Sequence, residues 1–182
     1  MPTNVTNKLT ALGEPENVQR FFATVYGGRD DKGREMFIDF NRIKPIPEAM
    51  NVSCGSRSNQ ALELYLEFIK EKAGIAEICL ALGDRGATYT KRMTGDLTAK
   101  YAKVFQDDPD LLKFGEQLFN NIRDYGAPTW HEWCTENWGT KWNAFRQERI
   151  DDNTIRFDTA WSGVPGLIQE LSRQFPGMRC IY

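Results

Sequence analysis

His131 is the only histidine in the chain, so any hydrolytic scheme built on a Ser–His or Cys–His pair would have to use it as the base. Cys134 lies one helical turn further on, where the two side chains would share a face. Two donors fall short of a zinc site, which takes three or four protein ligands, and no second Cys/His pair lies close by in the sequence. Glu132 and Glu136 would also face one way, as paired acid/base carboxylates do. Thr129 and Glu132, however, have the spacing of a capping box that opens a helix, and glutamates at helical spacing are ordinary surface residues. Packing and capping therefore account for these side chains, and the expectation is no catalytic residue, no metal ligand set and no cofactor.

Two other stretches invite a chemical reading. The run Gly27-Gly28-Arg29-Asp30-Asp31-Lys32-Gly33 has glycines and a lysine but lacks the Gly-Lys-Ser/Thr ending that sets lysine and hydroxyl on phosphates and magnesium. It also lacks the ligand series of an EF-hand, so it reads as a solvated loop. Four of the five tryptophans, Trp130, Trp133, Trp138 and Trp142, fall within thirteen residues, with Trp161 beyond them. Aromatic faces can stack on bases, but such sites sit in basic grooves, whereas Lys141, Arg146 and Arg149 are balanced here by Glu132, Glu136 and Glu148. Most of the rings are expected to cement the structure, with one or two, Trp142 among them, left for a partner. Arg85, Tyr89, Lys91 and Arg92, flanked by glycine turns, form the other candidate contact group, since arginine and tyrosine are favoured at binding hot spots. A solvated loop is the competing reading.

The elements that must carry these residues follow from periodicity. Val5 to Leu12 alternates as a strand, and Val18, Phe21, Phe22 and Val25 then form a helical stripe behind Pro15. Met36 to Ile43 predicts a second strand, stopped by Pro45 and Pro47. Asn59 to Lys72 is an amphipathic helix, Leu97 to Phe105 a short one, and Leu111 to Tyr125 a third behind Asp108-Pro109. Ile75 to Leu82 fits helix or buried strand, and Ala87 to Met93 a loop or hairpin arm. Asp151-Asp152-Asn153 predicts a turn between strands, with Ile155, Phe157, Thr159 and Trp161 on one side and Arg156, Asp158 and Ala160 on the other. A helix with Leu167, Ile168, Leu171 and Phe175 and a strand from Met178 to Tyr182 close the chain. The expected fold is α+β: a single domain over 1–182, with 1–47 and 129–182 combining as the halves of a ferredoxin-like split βαβ sheet and 48–128 as a mainly helical insertion.

Bulk properties narrow the function classes. At 182 residues, with 41% hydrophobic and 26% charged residues, the chain can bury a core without disulfides. A net charge of −2 excludes a general nucleic-acid coat, which needs a basic surface, and falls short of the negative excess of an electrostatic DNA mimic. The start of the chain has no basic region followed by an apolar run, no long apolar stretch occurs, and the four cysteines form no CxxC pair. Neither export nor membrane insertion is expected, and reduced thiols fit a cytoplasm.

The run Trp133-Cys134-Thr135-Glu136-Asn137-Trp138-Gly139-Thr140-Lys141-Trp142-Asn143-Ala144, followed by Ile155-Arg156-Phe157-Asp158-Thr159-Ala160-Trp161-Ser162, resembles the carboxy-terminal signature of the YubB or Api92-like ferredoxin-fold family of phage and plasmid proteins. Leu9 to Phe22 and Asp39-Phe40-Asn41-Arg42-Ile43-Lys44-Pro45 resemble its amino-terminal pattern, so the likeness spans about half the chain and misses the centre. Length and character are also similar to type II-A anti-CRISPR proteins. That second resemblance implies a partner, Cas9 alone or with its guide RNA, and an activity, inhibition of target-DNA binding or cleavage. A nucleic-acid-binding accessory module and an enzyme using His131 are the alternatives.

Overall fold

The computed structural model describes residues 3–91 and 108–182, so Arg92 and the helix expected around Leu97 to Phe105 lie outside the described residues. In chain order the elements are β1 (Asn4–Leu12), α1 (Pro15–Val25), β2 (Gly28–Arg29), β3 (Glu35–Met36), α2 (Phe40–Ile43), a 3-10 turn (Glu48–Met50), α3 (Ser56–Ala73) and α4 (Ile75–Leu82). A second 3-10 turn (Gly83–Arg85) and α5 (Gly86–Thr90) follow. After the undescribed stretch come α6 (Leu111–Tyr125), α7 (Trp130–Trp138), β4 (Phe145–Asp151), β5 (Thr154–Ala160), α8 (Pro165–Arg173) and β6 (Arg179–Ile181). The chain is thus mixed α and β, and it forms two compact units, one from 1–46 with 134–182 and one from 47–133.

The first unit is built on a four-stranded sheet in the order β4-β5-β1-β6, antiparallel at every pairing. The alternation along β1 sends Asn7, Leu9 and Ala11 inward, while β5 sends in Ile155, Phe157 and Thr159. The α1 stripe Val18, Phe21, Phe22 and Val25 is buried, as are Leu167, Ile168 and Leu171 of α8. One polar network runs through this core. Buried Asn7 donates to the Thr159 hydroxyl at 2.9 Å and accepts from the Tyr182 hydroxyl, which itself accepts the Val164 N–H at 2.6 Å. A Cβ on Gly163 would lie 2.9 Å from that phenol oxygen, so the glycine leaves room for the clasp.

Two expectations fail in this unit for identifiable reasons. Met36 to Ile43 is not a strand: only Glu35–Met36 pair, with β2, and Asp39 caps the short helix α2 by accepting from the Asn41 N–H. The apolar residues are buried as strand residues would be, with Ile38 and Phe40 fully enclosed, but side-chain amides serve their backbone. Gln147 accepts from Ile38 N–H at 2.8 Å and donates to Ile38 O at 2.9 Å, and Asn143 accepts from Phe40 N–H at 2.9 Å. Two amides thus do the work of a neighbouring strand. At the end of β5 the alternation breaks, because Ala160 is buried and Trp161, with a positive φ of 72°, swings out to 51% exposure.

The second unit is helical. Ser56–Ala73 and Leu111–Tyr125 pack through Ala61, Leu62, Leu66, Leu118, Phe119 and Ile122, with Ile78 and Leu82 of α4 in the same cluster. Ile75 to Leu82 is therefore helix rather than strand. Ala87 to Thr90, expected as loop or hairpin, belongs to the helix α5, and Tyr89 packs partly buried against the cluster. Asn121, buried in α6, donates to Ala49 O and to Pro128 O, both at 3.0 Å, and so fixes the chain entering α3 and the chain entering α7 with a single side chain.

Candidate functional site

In the sheet-bearing unit, the tryptophans divide sharply. Trp138 is 2% exposed, and its indole N–H donates to Lys44 O at 2.9 Å. Trp142 and Trp161, by contrast, are exposed. Two side-chain bonds knit the loops that carry them: buried Thr140 donates to Ala160 O at 2.9 Å, and the Ser162 hydroxyl donates to Gly139 O. Gly139 takes a φ of 79° to start the first of these loops. The result places the Lys141 Nζ 3.8 Å from the Trp142 ring centre and 3.9 Å from that of Trp161, so one cation lies between two aromatic faces. At an exposed site each such contact contributes about 0.5–1 kcal/mol, enough to bias the lysine toward the rings. Large, stiff aromatic surface of this kind, tryptophan above all, is enriched at binding hot spots.

The solvent side of the sheet differs. Near the middle of β1 and β5 it carries Thr6, Lys8, Arg156 and Asp158. Several of these are partnered: Thr6 donates to Asp158 at 2.8 Å, Arg146 pairs with Asp158 at 2.8 Å, and Arg156 pairs with Glu148. No ring stands on these central strand positions, which is where a sheet that stacks single-stranded bases carries its aromatics.

In the helical unit, the expected contact group splits. Arg85 is exposed, yet its guanidinium donates to Gly126 O at the end of α6 and lies against that glycine, where a Cβ would meet Nη2 at 2.7 Å. It caps a helix, as cations near helix C-termini do. Tyr89 contributes to packing, Lys91 is exposed in the turn after α5, and Arg92 is outside the described residues.

The groups with chemical capacity are also rearranged relative to expectation. Thr129 does begin α7, but its hydroxyl donates to the Glu132 carboxylate and accepts weakly from His131 N–H at 3.3 Å, so the two cap side chains bind each other. His131 Nδ1 lies 3.9 Å from Glu132 Oε1. The thiol near them belongs to Cys54, in the loop before α3. Sequence spacing paired His131 with Cys134, and no local pattern points to Cys54, because α3 and α6 separate the two positions along the chain.

Cys134 is 1% exposed, and burial pushes its thiol up to about 11 from an ordinary value of 9.0. The folded chain therefore holds this proton more tightly than the unfolded chain. That contribution is complete below pH 9 and is lost as pH climbs toward 11, a change on the order of 2–3 kcal/mol. Cys134→Ala is expected to flatten the stability profile over this window, measured by urea unfolding at stepped pH. Cys180 and Tyr182, also raised by burial, act in the same direction and remain in the variant, so the difference isolates Cys134. Equal slopes for the two proteins would contradict the burial argument.

Comparison of the chain with family models, with curated proteins and with solved structures gives no match. Among the described residues no helix is long and apolar enough to cross a membrane.

Proposed function

We propose that the chain is a binding protein of a phage or plasmid that inhibits Cas9, engaging it through the surface carrying Lys141, Trp142 and Trp161. The observation that carries this reading is the exposure of two tryptophans around one lysine, held by Thr140 and Ser162 rather than left on loose loops. Stiff aromatic anchors lose little conformational entropy on docking and so favour protein recognition. The resemblance to the YubB or Api92-like proteins runs through these same residues, and the likeness to type II-A anti-CRISPR proteins supplies the partner. The strand order β4-β5-β1-β6 supports a ferredoxin-like split βαβ reading, with β1-α1-β4 and β5-α8-β6 as the two halves. In that reading β4, and not the segment Met36 to Ile43, completes the first half.

Cas9 reads a PAM and then opens the duplex in basic channels, so a protein wedge near either step would lower target engagement. The test is target-DNA binding and cleavage by guide-loaded Cas9 at rising concentrations of the chain, with gel filtration for a complex. Dose-dependent inhibition with co-elution supports the proposal, and Trp142→Ala with Trp161→Ala should weaken the complex about 30-fold or more, the effect of losing a hot-spot anchor. Neither co-elution nor inhibition at micromolar protein would overturn it for that Cas9. A salt-dependent shift of free single-stranded DNA or RNA instead would favour an accessory nucleic-acid binder.

A further inference from the structure

We propose that Cys54, His131 and Glu132 form a site for one zinc ion within a single chain, with the fourth coordination position open to solvent. One donor atom from each residue, a thiol sulfur, an imidazole nitrogen and a carboxylate oxygen, lies within 4.8 Å of the other two. Zinc bonds of about 2.0–2.3 Å in a tetrahedron place neighbouring donors roughly 3.5 Å apart, so closure takes an ångström or so of side-chain movement. The 3.9 Å separation of His131 Nδ1 and Glu132 Oε1 is already close to that spacing.

The surroundings are arranged for this convergence. Successive helical residues project about 100° apart, so His131 and Glu132 would ordinarily diverge. The Thr129 hydroxyl holds Glu132 Oε2, which leaves Oε1 on the histidine side. Such an outer hydrogen bond orients a carboxylate ligand. Cys54 sits beside Gly55, whose N–H donates to Ser58 Oγ at 2.9 Å while that hydroxyl donates back to Gly55 O at 2.8 Å, fixing the loop at the start of α3. Asn121 ties the chain leading to Cys54 and the chain leading to Thr129 to the same point of α6.

The donor set selects the metal. Magnesium and calcium take all-oxygen shells, whereas a thiolate, an imidazole and a carboxylate match zinc. A thiolate and a carboxylate also neutralise a dication, which offsets the positive end of α7 that would otherwise disfavour it. Three protein ligands with an open fourth place is the arrangement of zinc sites that bind a water or an incoming ligand. Partial exposure of His131 and Glu132 and exposure of Cys54 leave that place accessible. This inference is independent of the Cas9 reading.

The experiment uses the full chain, reduced and stripped of metal, titrated with cobalt(II) as a spectroscopic stand-in and then with zinc against a competing chelator. The expected result is a thiolate-to-cobalt charge-transfer band that saturates at one equivalent and is displaced by zinc. Cys54→Ser should abolish the band, while Cys134→Ser, with its thiol buried away from solvent, should keep it. Thr129→Val should weaken zinc binding about 10–100-fold, and His131→Ala more than that, with circular dichroism showing that each variant is folded. A band that is absent, that survives Cys54→Ser, or that saturates at half an equivalent with a dimer would overturn the proposal.

Discussion

Replacing Gly115 with alanine is expected to destabilise the helical unit by about 3 kcal/mol or more, although alanine is the better helix former by roughly 1 kcal/mol. The sign follows from where the extra carbon would go. A Cβ at Gly115 would lie 2.1 Å from Ala61 O, 2.8 Å from Ala61 C and 2.7 Å from Tyr65 Cβ. The first two are backbone atoms of α3, so no rotamer change relieves the overlap, and α6 would have to move off its neighbour. That movement opens the packing of Leu118 and Ile122 against Leu62 and Leu66, adding lost contacts to the overlap itself. Gly166 in α8 is the matched control, since a Cβ there meets nothing within 4 Å. Gly166→Ala is expected to stabilise by about 0.5–1 kcal/mol. Urea unfolding of the two variants should therefore shift in opposite directions, and a Gly115→Ala protein as stable as the parent would rule out the close crossing of α3 and α6.

Gly115 also shows what was legible in the sequence and what was not. The stripe Leu111, Gly115, Leu118, Ile122 and Tyr125 could be read as one buried face from its period alone, and the first four are buried, whereas Tyr125, in the last turn, is exposed. That the glycine is required for contact with a particular carbonyl is a tertiary fact without a local signature. The same boundary recurs elsewhere. Val18, Phe21, Phe22 and Val25 declare α1, and Asp151 to Asn153 declares the hairpin of β4 and β5, because turn chemistry and periodicity are local. Met36 to Ile43 misleads because burial and β-rich composition are also local, while the Gln147 and Asn143 amides that serve its backbone arrive from more than a hundred residues away. Trp161 misleads because one positive φ ends the strand's alternation without a glycine to announce it.

The candidate sites divide along the same line. The tryptophan-rich run marked Trp142 as a contact candidate, and a conformational break turned Trp161 toward the same lysine. Arginine and tyrosine at positions 85 and 89 had the composition of a contact loop, but one caps α6 and the other packs on the helical core. Composition specifies which side chains are capable of recognition. Whether the fold spends them internally depends on neighbours that are distant in sequence. Cys54 makes the converse point: an isolated cysteine with nothing beside it in the sequence acquires a histidine and a glutamate as neighbours through Asn121, a residue with no metal-binding chemistry.

The amide of Gln147 provides the other large test, because its two ends have opposite demands. Its Oε1 must accept from Ile38 N–H, and its Nε2 donates both to Ile38 O at 2.9 Å and to Ala144 O at 3.0 Å. Gln147→Leu removes all three bonds, and with Ile38 fully buried the loss should be about 2–4 kcal/mol. Gln147→Glu is nearly isosteric and keeps the acceptor, but it turns the donor end into a carboxylate oxygen facing two carbonyl oxygens. At neutral pH it should therefore be at least as destabilising as leucine, a loss of roughly 3 kcal/mol or more. The repulsion raises the new carboxyl above the ordinary glutamate value near 4.3, so its protonated form is favoured in the folded state. Stability relative to the leucine variant should then recover as pH falls through that raised value, where the proton restores one donor, and decline again as pH rises. Unfolding both variants between pH 4 and pH 8 measures this directly. A glutamate variant that tracks the leucine variant at every pH would mean that water, rather than the Gln147 side chain, serves the backbone of the segment that failed to become a strand.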